Sequence, residues 1–245
     1  AMYFRTGTDI TTRQVLFKIG DQIKGMNAYL DAGNLYVNAW DLKDDDGIGP
    51  DVPWGPLFVS TPVVPDTTYT LFFLFDQANR EIKGYLNGVN FGTAIGAGKL
   101  YPSKAKSSIG GPAGPTLFHD MKKGGKCFKG HIASYVHYGD AVLTTAQRNA
   151  LSTYLSTTFA ASFSPVNQFV LWIKPDNGID KDTERWVSTW LDRSSSLMKF
   201  SQKSKKKMPR WEQAVLLNDG LSVSNGILFD GAANIMTASS SPNIN

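Results

Sequence analysis

The sequence predicts an all-β sandwich carrying one short peripheral helix. Three observations predict it. Short apolar or alternating runs recur between turn-forming residues along most of the chain, as in 69–75 and Lys129–Tyr138. Gly and Pro number 23 and 12 among 245 residues, which favours punctuated strands over long helices. A capped helical period stands out after Thr144. With 42% apolar residues the chain can bury a sizeable core, as one large sandwich or two small domains.

The elements follow in order. Residues 3–5 and 14–19 read as strands on either side of a polar turn. Residues 27–30 and 35–40 read as a hairpin joined around Gly33-Asn34. Residues 41–56 form a long loop rich in Asp, Gly and Pro. The run 69–75, with Leu-Phe-Phe-Leu-Phe at its centre, is too short for a helix and reads as a buried strand. Glu81–Leu86 and 89–91 flank Asn87-Gly88, and a two-residue Asn-Gly loop predicts a hairpin because both residues must take positive φ. In Lys129–Tyr138, strict alternation sets Ile132, Ser134, Val136 and Tyr138 against Ala133, Tyr135 and His137. Thr144 with Gln147 makes a capping box, and Leu151, Tyr154, Leu155 and Thr158 follow at helical spacing. After residue 162 strands resume, in FVLWIKPDNGID, WVSTWLDRSS and GILFDGAANIMTAS.

The segments IKGYLNG, FKGHIASYVHYG, LTTAQRNALSTYL and ILFDGAANIM together resemble a laminin-G-like domain of the concanavalin A-like jelly-roll superfamily. The order is swapped. An apolar Leu-Trp strand, a Trp-x-Asp turn and a Phe-Asp-Gly strand open such domains, and here they follow the closing half. Residues 166–245 then supply the front of the fold and 1–160 the back. Two accounts fit: one closed, permuted jelly-roll sandwich spanning 1–245, or halves of two tandem domains. The first is favoured because domain ends are often close together, which places Ala1 near Asn245. The start at Ala1-Met2 reads as a processing boundary.

Such domains mostly bind glycans or proteins, so the resemblance implies a non-catalytic binding or adhesion module at an extracellular, cell or virion surface. The alternative is a structural repeat or a virion or appendage decoration protein that pairs with copies of itself. Glycosidases of the superfamily carry Glu-x-Asp-x-x-Glu, which sets two carboxylates at the separation retaining chemistry needs. The three glutamates, Glu81, Glu184 and Glu212, are not so spaced, and no Gly-x-Ser-x-Gly or phosphate loop is present. No enzyme is expected.

Asp41, Asp44, Asp45, Asp46 and Asp51 crowd one loop. Their carboxylates suit Ca²⁺, and Asp44, Asp45, Asp46 and Asp51 are the candidate ligands, although the spacing is not that of an EF-hand. The stronger alternative is a solvated acidic loop. Trp40 and Trp54 flank the loop, so Trp40, Trp54 and Asp44 are the candidate sugar contacts; the alternative is that both indoles pin core and loop. Lys203, Lys205, Lys206 and Lys207 form a basic run, with Lys122, Lys123 and Lys126 a second. They could contact an acidic polysaccharide or teichoic-type polymer, or simply keep sheet edges soluble. Nucleic acid is not expected, because neither run has interleaved aromatics. His131 and His137 are about 20 Å apart along a strand and cannot share an ion. The lone Cys127 allows no internal disulfide, and no apolar run approaches the ~20 residues of a membrane span.

Overall fold

The computed structural model describes residues 1–42, 52–139, 142–157, 169–173, 178–191, 198–216 and 223–238. The strands are β1 (Met2–Thr6), β2 (Gln14–Gly20), β3 (Lys24–Asp31), β4 (Asn34–Asp41), β5 (Trp54–Pro62), β6 (Thr68–Asp76), β7 (Glu81–Leu86), β8 (Val89–Ile95), β9 (Ser108–Ile109), β10 (Lys126–Cys127) and β11 (Lys129–Tyr138). Helix α1 (Thr145–Thr157) follows. Then come β12 (Phe169–Ile173), β13 (Ile179–Lys181), β14 (Val187–Leu191), β15 (Lys199–Ser201), a 3-10 turn (Lys205–Lys207), β16 (Arg210–Leu216), β17 (Val223–Asp230) and β18 (Met236–Ala238).

Two sheets face each other, as an all-β sandwich requires. The first runs β16-β17-β11-β1-β6-β7-β8, with β12 also on β11. The second runs β13-β14-β15-β18-β9-β2-β3-β4-β5, with β10 parallel to β2. Strands from the late part of the chain sit in both sheets: β17 pairs with β11, and β18 with β9. The main core lies between the sheets and includes Phe4, Leu16, Phe128, Trp190, Phe200 and Phe229. Strand β1 lies between β6 and β11. The expected closeness of Ala1 and Asn245 involves a residue outside the described ones.

Turn chemistry accounts for the tight hairpins. Asn87 and Gly88 both take positive φ (50° and 83°), as a two-residue turn between β7 and β8 demands. Between β3 and β4 the turn residues are Ala32 (φ 47°) and Gly33 (φ 81°), not Gly33-Asn34; Asn34 already pairs with Asp31. The expected alternation of β11 also needs correction. Its pairing to β1 steps from Ser134 to Ile132, a bulge at Ala133 that inserts one residue and switches faces. Ile132 and Tyr135 therefore both point into the main core, while Ala133 and Val136 point away from it.

Helix α1 covers the outer side of the first sheet. The Thr144 N–H donates to Gln147 Oε1 (2.8 Å) and the Gln147 N–H to Thr144 Oγ1 (3.3 Å), so the capping box forms in both directions. Leu151 and Leu155 pack with Tyr3, Phe72, Leu74 and Val136. That side of the sandwich is thereby closed, and the outer side of the second sheet is left to carry the site.

Candidate functional site: an aromatic platform

On the second sheet, Leu35, Val37 and Ala39 of β4 point into the core, so Tyr36, Asn38 and Trp40 point outward. Cross-strand pairing puts Tyr29 and Ser60 on either side of Tyr36, and Asn27 and Phe58 on either side of Asn38. A grid of aromatic and amide side chains results.

The connection between β9 and β10 crosses this grid and is tied down at several points. The Leu117 carbonyl accepts both the Asn27 and Asn38 side-chain amides, at 2.8 and 3.1 Å. The Lys18 ammonium, itself buried, donates to the Ala113 and Pro115 carbonyls at 3.0 and 3.1 Å. Burial holds the Lys18 pKa down at about 8. These ties deliver His119 onto the rings. Its imidazole stacks on Tyr36 (4.4 Å between centroids, 10° between planes) and tilts against Phe58 (5.1 Å, 55°). Tyr29 lies parallel to both, 5.0 Å from Tyr36 and 6.1 Å from the His119 ring. The Tyr29 hydroxyl accepts the His119 backbone N–H (3.1 Å) and lies 2.6 Å from His119 Nδ1. The hydroxyl and Nδ1 share one hydrogen bond whose direction follows the imidazole tautomer. Burial raises the Tyr29 pKa far above its ordinary value, so the hydroxyl stays protonated.

A charged clamp borders the rings. Arg13 Nε and Nη2 donate to Asp31 Oδ2, and Nη1 and Nη2 donate to the two Asp120 oxygens at 3.1 and 2.9 Å. The guanidinium also lies over the Phe118 ring, 4.7 Å from its centroid. Partial burial alone would raise the Asp120 carboxyl; the Arg13 hydrogen bonds and the Lys122 N–H outweigh it and hold the pKa at about 2. The platform thus has fixed rings, a half-open surface on Tyr36 and His119, and Phe58 40% exposed. Flat apolar faces beside charge-assisted polar groups suit a ligand with both hydrocarbon faces and hydroxyls.

Of the sugar contacts expected from the sequence, the two indoles lie apart from this platform. Trp40 is fully buried, with its ring against Gly25, and Trp54 is only 8% exposed. Trp54 faces the core, stacks on Phe75 and donates from Nε1 to the Lys99 carbonyl at 3.0 Å. Neither offers a face to a sugar: Trp40 is buried although it lies on the outer side of β4, and Trp54 is carried into the main core. Asp44, Asp45, Asp46 and Asp51 lie outside the described residues. Asp41 is buried, and its Oδ2 accepts the Tyr101 N–H at 2.7 Å. Among the described residues no group of three or more His, Cys, Asp or Glu could hold a metal ion. Lys203, Lys205, Lys206 and Lys207 are exposed at the far edge of the sandwich, where Lys205 bridges Asp182 and Glu184. His131 pairs with Glu212 at 2.8 Å, on the first sheet.

Tyr29, Tyr36, Phe58, His119 and Arg13 are the residues that sequence reasoning missed. The alternation in 35–40 already placed Tyr36 on one face with Asn38 and Trp40. Nothing local signals that His119, 83 positions later, lands on it. A separate cavity of about 520 Å³ opens among Phe17, Leu71, Phe73, Phe75, Leu100 and Tyr135. Asp76, Gln77 and His137 line it as well.

No family model matches the sequence, and no curated protein matches it either. Among solved structures it is similar to a "putative carbohydrate binding protein" from Bacteroides ovatus, with a TM-score of 0.44 and 12% identity. The alignment covers 99% of this chain and 54% of that one, so the chain spans about half the length of that structure. No helix among the described residues is long and apolar enough to cross a membrane.

Proposed function

We propose that the protein is a non-catalytic carbohydrate-binding module that works at a cell or virion surface, with the Tyr36–Phe58–His119 platform as its sugar contact. The observation that carries this reading is the parallel stack of Tyr36 and His119 beside the exposed Phe58 ring. A sugar presents C–H groups on one face and hydroxyls at its rim, and rings of this kind beside polar groups match both. The rings are held before any ligand arrives, by the Tyr29 hydroxyl and the tethered loop, which limits the ordering cost of binding. Asp31 and Asp120, which border the platform, are both engaged with Arg13 rather than facing each other across a cleft. That arrangement favours recognition over acid–base chemistry.

The test is a panel of surface glycans titrated with the protein and its Tyr36→Ala and Phe58→Ala variants. Each substitution should weaken binding about three- to tenfold, the equivalent of ~0.5–1.5 kcal/mol per ring contact. Because stacking is not a charge interaction, the loss should be nearly independent of salt. A panel bound equally well by both variants would overturn the site. Release of reducing sugar from any member would overturn the non-catalytic reading. One observation favours a second reading, assembly: β8 pairs only with β7 among the described residues and exposes Val89 and Ile95 at 69% and 76%. Silence on the panel together with concentration-dependent association in the ultracentrifuge would favour that one.

A further inference from the structure

The opposite edge of the sandwich concentrates cations around two tryptophans. Trp186 bridges to Arg210, joining the turn before β14 to β16 of the other sheet. The Trp211 N–H donates to the Arg185 carbonyl and the Val187 N–H to the Pro209 carbonyl, both at 2.8 Å, so the edge is firmly closed. On this frame the Lys181 ammonium sits 3.2 Å from the centroid of the Trp211 ring, with the Arg185 guanidinium 5.8 Å from the same ring. Arg210 lies 5.5 Å from the Trp186 ring. Indole faces attract cations, so these heads are held in place instead of waving on flexible stems.

The local acids do not neutralise them. Asp182 and Glu184 both engage Lys205, at 3.2 and 3.0 Å, which staples the 3-10 turn to the β13–β14 connection. Across residues 179–187 and 199–212 there are eight Lys and Arg against four carboxylates. The excess equals the +4 of the entire chain, so the rest of the molecule is balanced and its net charge resides here. Lys181 feels the crowding: burial and the neighbouring Arg185 both push its pKa down. An anion placed between them would relieve that repulsion. Lys203, Lys206 and Lys207 extend the positive surface beyond the fixed heads.

We propose that this edge is a binding site for an acidic polysaccharide, one bearing sulfate or carboxylate groups along its chain. Fixed guanidinium and ammonium groups suit repeated oxyanions, and the outlying lysines suit a polymer longer than one repeat. Single-stranded nucleic acid is the poorer match, because it needs open aromatic faces for bases and here the two indoles seat cations. The sequence offered the 203–207 lysines for such a polymer, but not the fixed cations beside them. Folding adds Lys181, Arg185 and Arg210, seated on two tryptophans, to that run. The site is independent of the aromatic platform, since β13 and β5 are the opposite ends of the second sheet.

The experiment measures binding of fluorescent dextran sulfate, polygalacturonate, neutral dextran and a single-stranded oligothymidylate. Dextran sulfate and polygalacturonate should bind and neutral dextran should not. Binding should fall about tenfold or more between roughly 50 and 300 mM NaCl, because exposed charges are increasingly screened. The double variant Arg185→Gln/Arg210→Gln and the triple variant Lys203→Gln/Lys206→Gln/Lys207→Gln should each weaken binding at least about fivefold. Thermal melts of these exposed substitutions check that the fold persists, and Phe58→Ala should leave polyanion binding unchanged. No dextran sulfate or polygalacturonate binding, or binding untouched in both variants, would overturn the site. Tighter binding of the oligothymidylate than of either polysaccharide would overturn the assigned class. Loss in Phe58→Ala would show that the polymer uses the platform instead.

Discussion

Phe229 offers a sharp test of how the two sheets are held together. It is 0% exposed, and its strand β17 pairs with β11 through Gly130. Its ring lies against the backbone of Gly110, at the end of β9 in the other sheet, so closely that a Cβ on Gly110 would overlap ring atoms. Phe229→Ala removes the ring and leaves a cavity between the sheets, at a cost of about 3–5 kcal/mol. At about 2–4 °C per kcal/mol for a domain of this size, the melting temperature should fall roughly 6–20 °C. Gly110→Ala should also destabilise, through the overlap and through its φ of 78°. In the double variant the overlap is gone while the backbone strain remains, so the two costs should add to less than their sum. Urea unfolding followed by both tryptophan fluorescence and far-UV circular dichroism gives all four corners of the cycle. A Phe229→Ala cost below ~1 kcal/mol, or strict additivity, would refute the packing argument. A melt that splits into two steps, one indifferent to Phe229, would show two independent units instead of one interleaved sandwich.

Two further outcomes follow from named side chains. Trp54→Phe should keep the core filled but lose the bond to the Lys99 carbonyl, costing roughly 1–2 kcal/mol in a urea melt and leaving glycan affinity intact; lost binding with unchanged stability would reinstate Trp54 as a contact residue. Asp120 and Asp9 both titrate near 2 in the folded protein, below the ordinary carboxylate value, Asp9 chiefly through the Thr12 N–H. Their stabilising effect is present above about pH 4 and lost as pH falls toward 2, so the urea midpoint should drop over that window and Asp120→Asn should flatten the drop; a midpoint constant over the same range would refute it.

Much of the fold was legible because its signals are local. Asn87-Gly88 needs only its own two backbone angles, and Thr144 with Gln147 needs only one helical turn. The run 69–75 became β6 because an apolar stretch bounded by turns has few other places to go. Other features failed where a remote partner decides. Alternation along β11 was right until the extra residue at Ala133, whose need is set by pairing with β1, 129 positions away. Trp40 and Trp54 stand beside a polar loop in sequence, and that neighbourhood suggested exposure. Packing that local composition does not encode buries both, Trp54 in the main core and Trp40 on the outer side of β4. The platform was invisible for a related reason. Its half from β3–β5 can be read from strand parity, but its lid residue His119 arrives through bonds between positions such as Asn27 and Leu117 that no window along the chain contains.

The β9–β10 connection separates anchoring from display. Residues 113–118 carry the ties to Lys18, Asn27 and Asn38, whereas Met121, Lys122, Lys123 and Gly124 are exposed. The Cβ of a residue at Gly124 would meet nothing within 4 Å, although its φ of 105° favours glycine. Lys122 and Lys123 can therefore be randomised as a cassette while the anchor stays in place, with Met121, at a φ of 62°, left as it is. A library built there would diversify the rim around His119 without renegotiating the fold, and new ligand specificities could be selected on an unchanged scaffold.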